Sequence, residues 1–132
     1  MLVVRLDNMD EAASALATSN TQLLALMGVL IRQQIRETDL VGRHSANAFM
    51  VLLPDSGRSE ASRVNDRIRS AIEKAGLTAK VSVSIGWAVS PDDGNTMDEV
   101  LQAAYLDCIG GGENIGVLAL LDKEVKLTVG PA

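Results

Sequence analysis

The chain has 132 residues, 47% of them hydrophobic, and a formal net charge of -5. That length and apolar fraction suit one domain with a real core, and acid spread along the chain without a tail argues against a nucleic-acid partner. One Phe, one Trp and one Tyr leave the core to Leu, Val, Ile, Ala and Met. The single cysteine, Cys108, has no internal disulfide partner, which suits a reducing compartment. No apolar run reaches the length of a membrane span, and the N-terminus lacks a signal-peptide layout. The expectation is a cytoplasmic domain with no membrane contact of its own, in a full-length protein that is free to be membrane-attached.

In chain order, Leu2 to Leu6 reads as a buried strand and Asp10 to Ala17 as a short Ala-rich helix. Thr18-Ser19-Asn20-Thr21 is a polar break with several candidate N-caps. Leu23, Leu24, Met27, Leu30, Ile31 and Ile35 recur at helical spacing and predict an amphipathic helix to about Arg36. Leu40 to His44 and Phe49 to Leu53 read as a hairpin with Ser45 to Ala48 at its tip. Pro54 to Gly57 is a turn.

Ser59 to Lys74 is the second long helix, with Ala61, Val64, Ile68, Ala71 and Ile72 as its apolar stripe. Gly76 ends it in the left-handed region. Lys80 to Val89 alternates as a strand, with Val81, Val83 and Ile85 on one face. Thr96 caps a helix to about Cys108, and Glu99 completes a capping box. Gly110-Gly111-Gly112 breaks that helix. Ile115 to Leu121 is expected as a last strand, and 122–132 as a tail. The order β-α-α-β-β-α-β-α-β predicts an α/β fold: a ferredoxin-like sheet of about five strands, antiparallel-rich, flanked by helices.

Three stretches carry more than periodicity. The first runs from Ile35 through Arg36-Glu-Thr-Asp39 and Arg43-His-Ser-Ala-Asn-Ala-Phe49 to Pro54. The second is Ala61-Ser-Arg-Val-Asn-Asp-Arg-Ile-Arg-Ser-Ala-Ile72, and the third is Val81-Ser-Val-Ser-Ile-Gly-Trp-Ala88. In this order and spacing they resemble the GGDEF (diguanylate cyclase) family, with its "DxxxRxGGDEFxxxLP", "AxxxAERIRxxI" and "vTvSiGvA" segments. The likeness spans 1–121, so the segment is read as a GGDEF domain taken from a longer multidomain protein.

The resemblance implies a degenerate member. The five signature letters are Ser45, Ala46, Asn47, Ala48 and Phe49. The family holds a pair of divalent cations with two acids, one at the end of the first strand and one at the third signature letter. Arg5 and Asn47 stand there, and Asn is a poor ligand for a hard cation. Asp7 remains at the second acidic place of the strand motif. Ala48 lacks polar atoms, and Ser45 and Ala46 add Cβ atoms where the family's glycines approach phosphate. The guanine-reading Asn and Asp find only Ala12-Ala13 and Thr21-Gln22. The segment Ala104 to Asn114 lacks the family's phosphate-binding Lys. The expectation is a domain without cyclase activity, without a cofactor and without need of Mg²⁺.

The family's product-binding inhibitory motif survives. It is "RxxD" five residues before the signature, here Arg36 and Asp39, with a helix Arg at Arg67 and Arg63 one turn earlier. Forked guanidiniums suit phosphate or the guanine O6/N7 edge. A carboxylate suits guanine N1–H and N2–H. The resemblance therefore implies a cyclic di-GMP receptor that binds the dinucleotide at about micromolar affinity, roughly -8 kcal/mol. It would signal to a partner domain or to a secretion or signalling protein, exopolysaccharide export being one such output, and it is a possible homodimer. Two other readings stay open. One is a ligand-independent interaction or dimerisation module. The other is a weak cyclase or GTP-binding regulator of a neighbouring phosphodiesterase domain.

Plainer roles stand beside these. Arg36 and Asp39 also fit a helix-end ion pair, and Arg63 and Arg69 fit solvated charges with Glu60 and Asp66 nearby. His44 has no His or Cys companion for a metal. Phe49 and Trp87 read as core, Tyr105 has an open role, and Asp92-Asp93 reads as a solvated turn.

Overall fold

The computed structural model describes residues 1–110. The expected strand at Ile115 to Leu121 and the tail lie outside them. Four strands and four helices follow in the order β1 (Leu2–Leu6), α1 (Met9–Ala15), α2 (Asn20–Arg32), β2 (Leu40–Ser45), β3 (Ala48–Leu52), α3 (Arg58–Lys74), β4 (Val83–Trp87) and α4 (Met97–Ile109). The sheet order is β2-β3-β1-β4, and every pairing is antiparallel. This is the antiparallel-rich α/β layout that the element order predicts.

Strand alternation sets the two faces of the sheet. Leu2, Val4, Leu6, Phe49, Val51 and Ile85 join the buried residues of α1, α2 and α3 in one core cluster. Val3, Ala48 and Ala88 join Val100, Ala103, Ala104 and Cys108 of α4 in a second. Arg5 follows Val3 by two residues, so it leaves β1 on the α4 side. Gly86 lets α4 sit close: a Cβ there would collide with the backbone of Ala104 and Cys108.

Local capping fixes several helix ends. Ser19 accepts the Gln22 backbone N–H, and the Gln22 side chain accepts the Ser19 N–H, which opens α2 with a capping box. Thr96 and Glu99 make the same box at α4. Gly76 takes φ +74° just beyond α3, where a left-handed residue closes the last turn.

Several boundaries differ from expectation. α2 ends at Arg32 and not near Arg36, because the Arg32 guanidinium turns to backbone carbonyls further along the chain. β4 begins at Val83 and not at Lys80, because Lys80 and Val81 donate their N–H groups to Leu77 in a turn. Trp87 is only partly buried against the first cluster.

Candidate functional site

Arg36 and Asp39 sit in the short connection between α2 and β2. The Asp39 N–H donates to the Arg36 carbonyl at 3.0 Å, which closes the turn. Arg32 fixes that turn from behind: its Nη1 donates to the Asp39 carbonyl at 2.6 Å and its Nη2 to the Arg36 carbonyl at 2.8 Å. Asp39 is buried, with 1% of its side chain exposed. Its carboxylate accepts the Arg36 backbone N–H at 2.8 Å, Nε at 3.1 Å and Nη2 at 2.9 Å. Burial works to raise the Asp39 pKa, but the Arg36 hydrogen bonds and the charges of Arg36 and Arg32 outweigh it and hold the carboxyl below its usual range.

Asp39 was expected to present an acceptor to guanine; in this arrangement its carboxylate faces Arg36 instead. Both of its oxygens are spent on Arg36, so its work here is to aim that guanidinium. Arg36 Nη2 also donates to the Pro54 carbonyl at 3.1 Å and to Ser56 Oγ at 2.9 Å. Its side chain nevertheless stays 48% exposed. Pro54 and Ser56 in turn border a groove of about 550 Å³ that runs toward Thr96 and Met97.

The cations of α3 lie on the same side. Arg67 Nη1 donates to the Gln34 carbonyl at 3.4 Å, two residues before Arg36. Glu60 stands among these arginines, 3.5 Å from Arg63 and 3.9 Å from Arg67, and its charge also favours protonated Arg36. The structure thus brings Arg36, Arg63 and Arg67 to one side of the domain around Glu60. Arg69 departs from them and bonds to Asn65 on its own helix.

The Ser45 to Phe49 stretch forms the opposite end of the β2–β3 hairpin. Ala46 and Asn47 make a two-residue turn, with a bulge between Arg43 and Ser45. The Asn47 amide donates to the Leu6 carbonyl at 3.0 Å, and the Leu6 N–H donates to the Asn47 carbonyl at 2.8 Å. Ser45 Oγ donates to Asn47 Oδ1 at 3.3 Å. Ala48 is fully buried beside Arg5, and Phe49 belongs to the first core cluster.

Residues 17–107 match the model of the family "Diguanylate cyclase, GGDEF domain". The chain belongs to the GGDEF family. It is 35% identical over 78 residues to the uncharacterized protein YhcK of Bacillus subtilis, covering 54% of this chain and 22% of that one. It is 30% identical over 92 residues to the cyclic di-GMP phosphodiesterase NbdA of Pseudomonas aeruginosa, covering 67% of this chain and 12% of NbdA. The chain therefore spans less than a quarter of the length of these relatives. Among solved structures it resembles an EAL/GGDEF domain protein from M. capsulatus with a TM-score of 0.69 at 27% identity, covering 86% of this chain and 79% of that one. It also resembles the GGDEF domain of TpbB from Pseudomonas aeruginosa, with a TM-score of 0.69 at 27% identity, covering 82% and 71%.

In this GGDEF domain the end of β1 carries Arg5 and Asp7. Arg5 Nε donates to Asp7 Oδ1 at 3.0 Å, and Ser84 Oγ donates to Asp7 Oδ2 at 2.7 Å. Burial opposes the Arg5 charge, but hydrogen bonds to Asp7 and Tyr105 outweigh it and raise the guanidinium pKa. Tyr105 also meets His44 edge to face, with ring centroids 5.6 Å apart. Among the described residues, no three His, Cys, Asp or Glu side chains come together as metal ligands.

Sequence reasoning missed three residues. Arg32, which builds the back of the RxxD turn, was hidden because its partners are backbone atoms. Asp93 was read as solvated, yet it is mostly buried, accepts the Val89 N–H at 3.0 Å and pairs with Arg58 at 3.1 Å. Asp107 is buried and accepts the Trp87 N–H at 2.9 Å. An acid amid the apolar residues of α4 was the available signal. Cys108 is buried on the sheet-facing side of α4, which pushes its thiol pKa up to about 11.

Proposed function

We propose that this GGDEF domain is a catalytically inactive receptor for cyclic di-GMP, which it binds at the RxxD turn. The observation that carries this is the aimed, half-exposed Arg36. Asp39, Pro54 and Ser56 hold it beside Arg67, at the spacing of the family's inhibitory motif. A preset guanidinium fork suits phosphate and the guanine O6/N7 edge, and Arg63 and Arg67 add positive charge to the same side. Asp39 reaches a guanine edge only if Arg36 first turns away. Glu60 opposes the ligand's phosphates and is the group that a bound anion must displace from Arg63 and Arg67.

The signature end supports the inactive reading. Asn47 and Ala48 offer no carboxylate, and Asp7 is neutralised by Arg5. The domain takes no cofactor and needs no Mg²⁺. Its output passes to a partner domain or a signalling or secretion protein, or through a second copy of the domain, by favouring one arrangement of the pair.

Thermal melting with two ligands tests this reading. Cyclic di-GMP at about 100 times its Kd stabilises the folded state by about 2.7 kcal/mol and raises the midpoint. GTP with Mg²⁺ leaves the midpoint in place. The reverse pattern would point to a GTP-binding domain. Insensitivity to both would point to an interaction module.

A further inference from the structure

The end of β1 does more than lack a metal-binding acid. Arg5 stands between Ala48 of β3 and Ser84 of β4 in the register of the sheet. Both neighbours are small, which leaves room for the guanidinium on the α4 side. Several oxygens at this end already accept a hydrogen bond. Asp7 Oδ1 accepts from Arg5 and Oδ2 from Ser84. The Leu6 carbonyl accepts from the Asn47 amide, and Asn47 Oδ1 from Ser45. Tyr105 of α4 also favours the charged guanidinium. A hard divalent cation needs about six oxygen ligands. Here it would meet one carboxylate, shared by two donors, and a fixed positive charge that repels it.

We infer that Arg5 is a built-in cation: it takes the place that a divalent metal ion holds in the family and closes this end of the sheet to such ions. Its guanidinium neutralises Asp7 and ties β1, β4 and α4 together, and the small Ala48 is the change that makes room for it. Arg5 and Ala48 are thus one coordinated substitution and not two separate losses. The inference does not rest on ligand binding at RxxD. Arg36 precedes the six-residue β2 and the hairpin tip follows it, and the strand alone is about 17 Å long by strand rise.

The test is Mn²⁺ binding to the purified domain, read from the loss of the free-ion electron paramagnetic resonance signal. The wild type leaves the signal unchanged up to millimolar protein. Arg5→Asp removes the guanidinium and supplies a second carboxylate, and it binds one Mn²⁺ per domain at least ten-fold more tightly than the wild type. Adding Asp7→Asn to that variant abolishes the gain. Arg5→Ala, a milder change that frees Asp7 alone, gives a smaller gain in the same direction and serves if Arg5→Asp does not fold. One Mn²⁺ bound by the wild type and lost with Asp7→Asn would overturn the inference. So would folded Arg5 variants that bind Mn²⁺ no better than the wild type.

Discussion

Asp39 keeps a full charge while almost wholly buried, and only its partners make that tolerable. Removing an acceptor that satisfies several donors costs about 1–3 kcal/mol, so Asp39→Ala lowers the urea midpoint at pH 7. The pH dependence follows from the depressed pKa of this carboxyl in the folded state. Its contribution is fully present above the unfolded value of about 4. It is lost as pH falls through that value and on through the lower folded one. Comparing Asp39→Asn with the wild type should show a wide gap in urea midpoint at pH 7 and a narrower one at pH 3. An equal gap at both would mean that the charge itself contributes nothing. Spacing in the sequence pointed to Arg36 and Asp39 together, but spacing does not say which way a side chain turns. The inward turn of Asp39 depends on Arg32 and the Pro54 carbonyl, and these are brought in by the fold. Cys108 makes a separate prediction at this scale. With its thiol pKa raised to about 11, it should resist maleimide at pH 8 until the domain is unfolded.

Among the elements, α4 depends most on a single residue. Gly86 leaves no space for a side chain between β4 and the backbone of Ala104 and Cys108. Gly86→Ala must push the helix outward, a strain of about 1–3 kcal/mol, and a lowered thermal midpoint would register it. On the other face, Ile68 of α3 is 1% exposed, and Ile68→Ala should cost about 2–5 kcal/mol in the same assay. These helices were legible because their apolar stripes and capping residues are local signals. Thr96 with Glu99 opens α4, and Ser19 with Gln22 opens α2. The end of α2 was not legible. Ile35 continues the helical spacing, but Arg32 finds better acceptors in the carbonyls of Arg36 and Asp39 and folds the chain back.

At the scale of the molecule, one sheet separates two groups of charges. Near the hairpin tip, the end of β1 holds Arg5 and Asp7 as an ion pair, with Ser84 bonded to Asp7 and Asn47 bonded to Leu6. Arg36 lies just before the other end of β2, with Arg67 and Arg63 nearby and Glu60 between the latter two. The β2–β3 hairpin was readable from its short connection, and the antiparallel-rich layout around it from the order of the elements. The bond from Ser84 to Asp7 was not readable, since the two lie 77 residues apart and only the β1–β4 register joins them. An aimed, half-exposed Arg36 is the feature on which the proposed receptor role rests. Calorimetric titration of cyclic di-GMP into the purified domain, run beside Arg36→Ala, tests this most directly. The account predicts about micromolar binding by the wild type that is lost in the variant. Absence of heat with the wild type, or equal binding by both proteins, would contradict it.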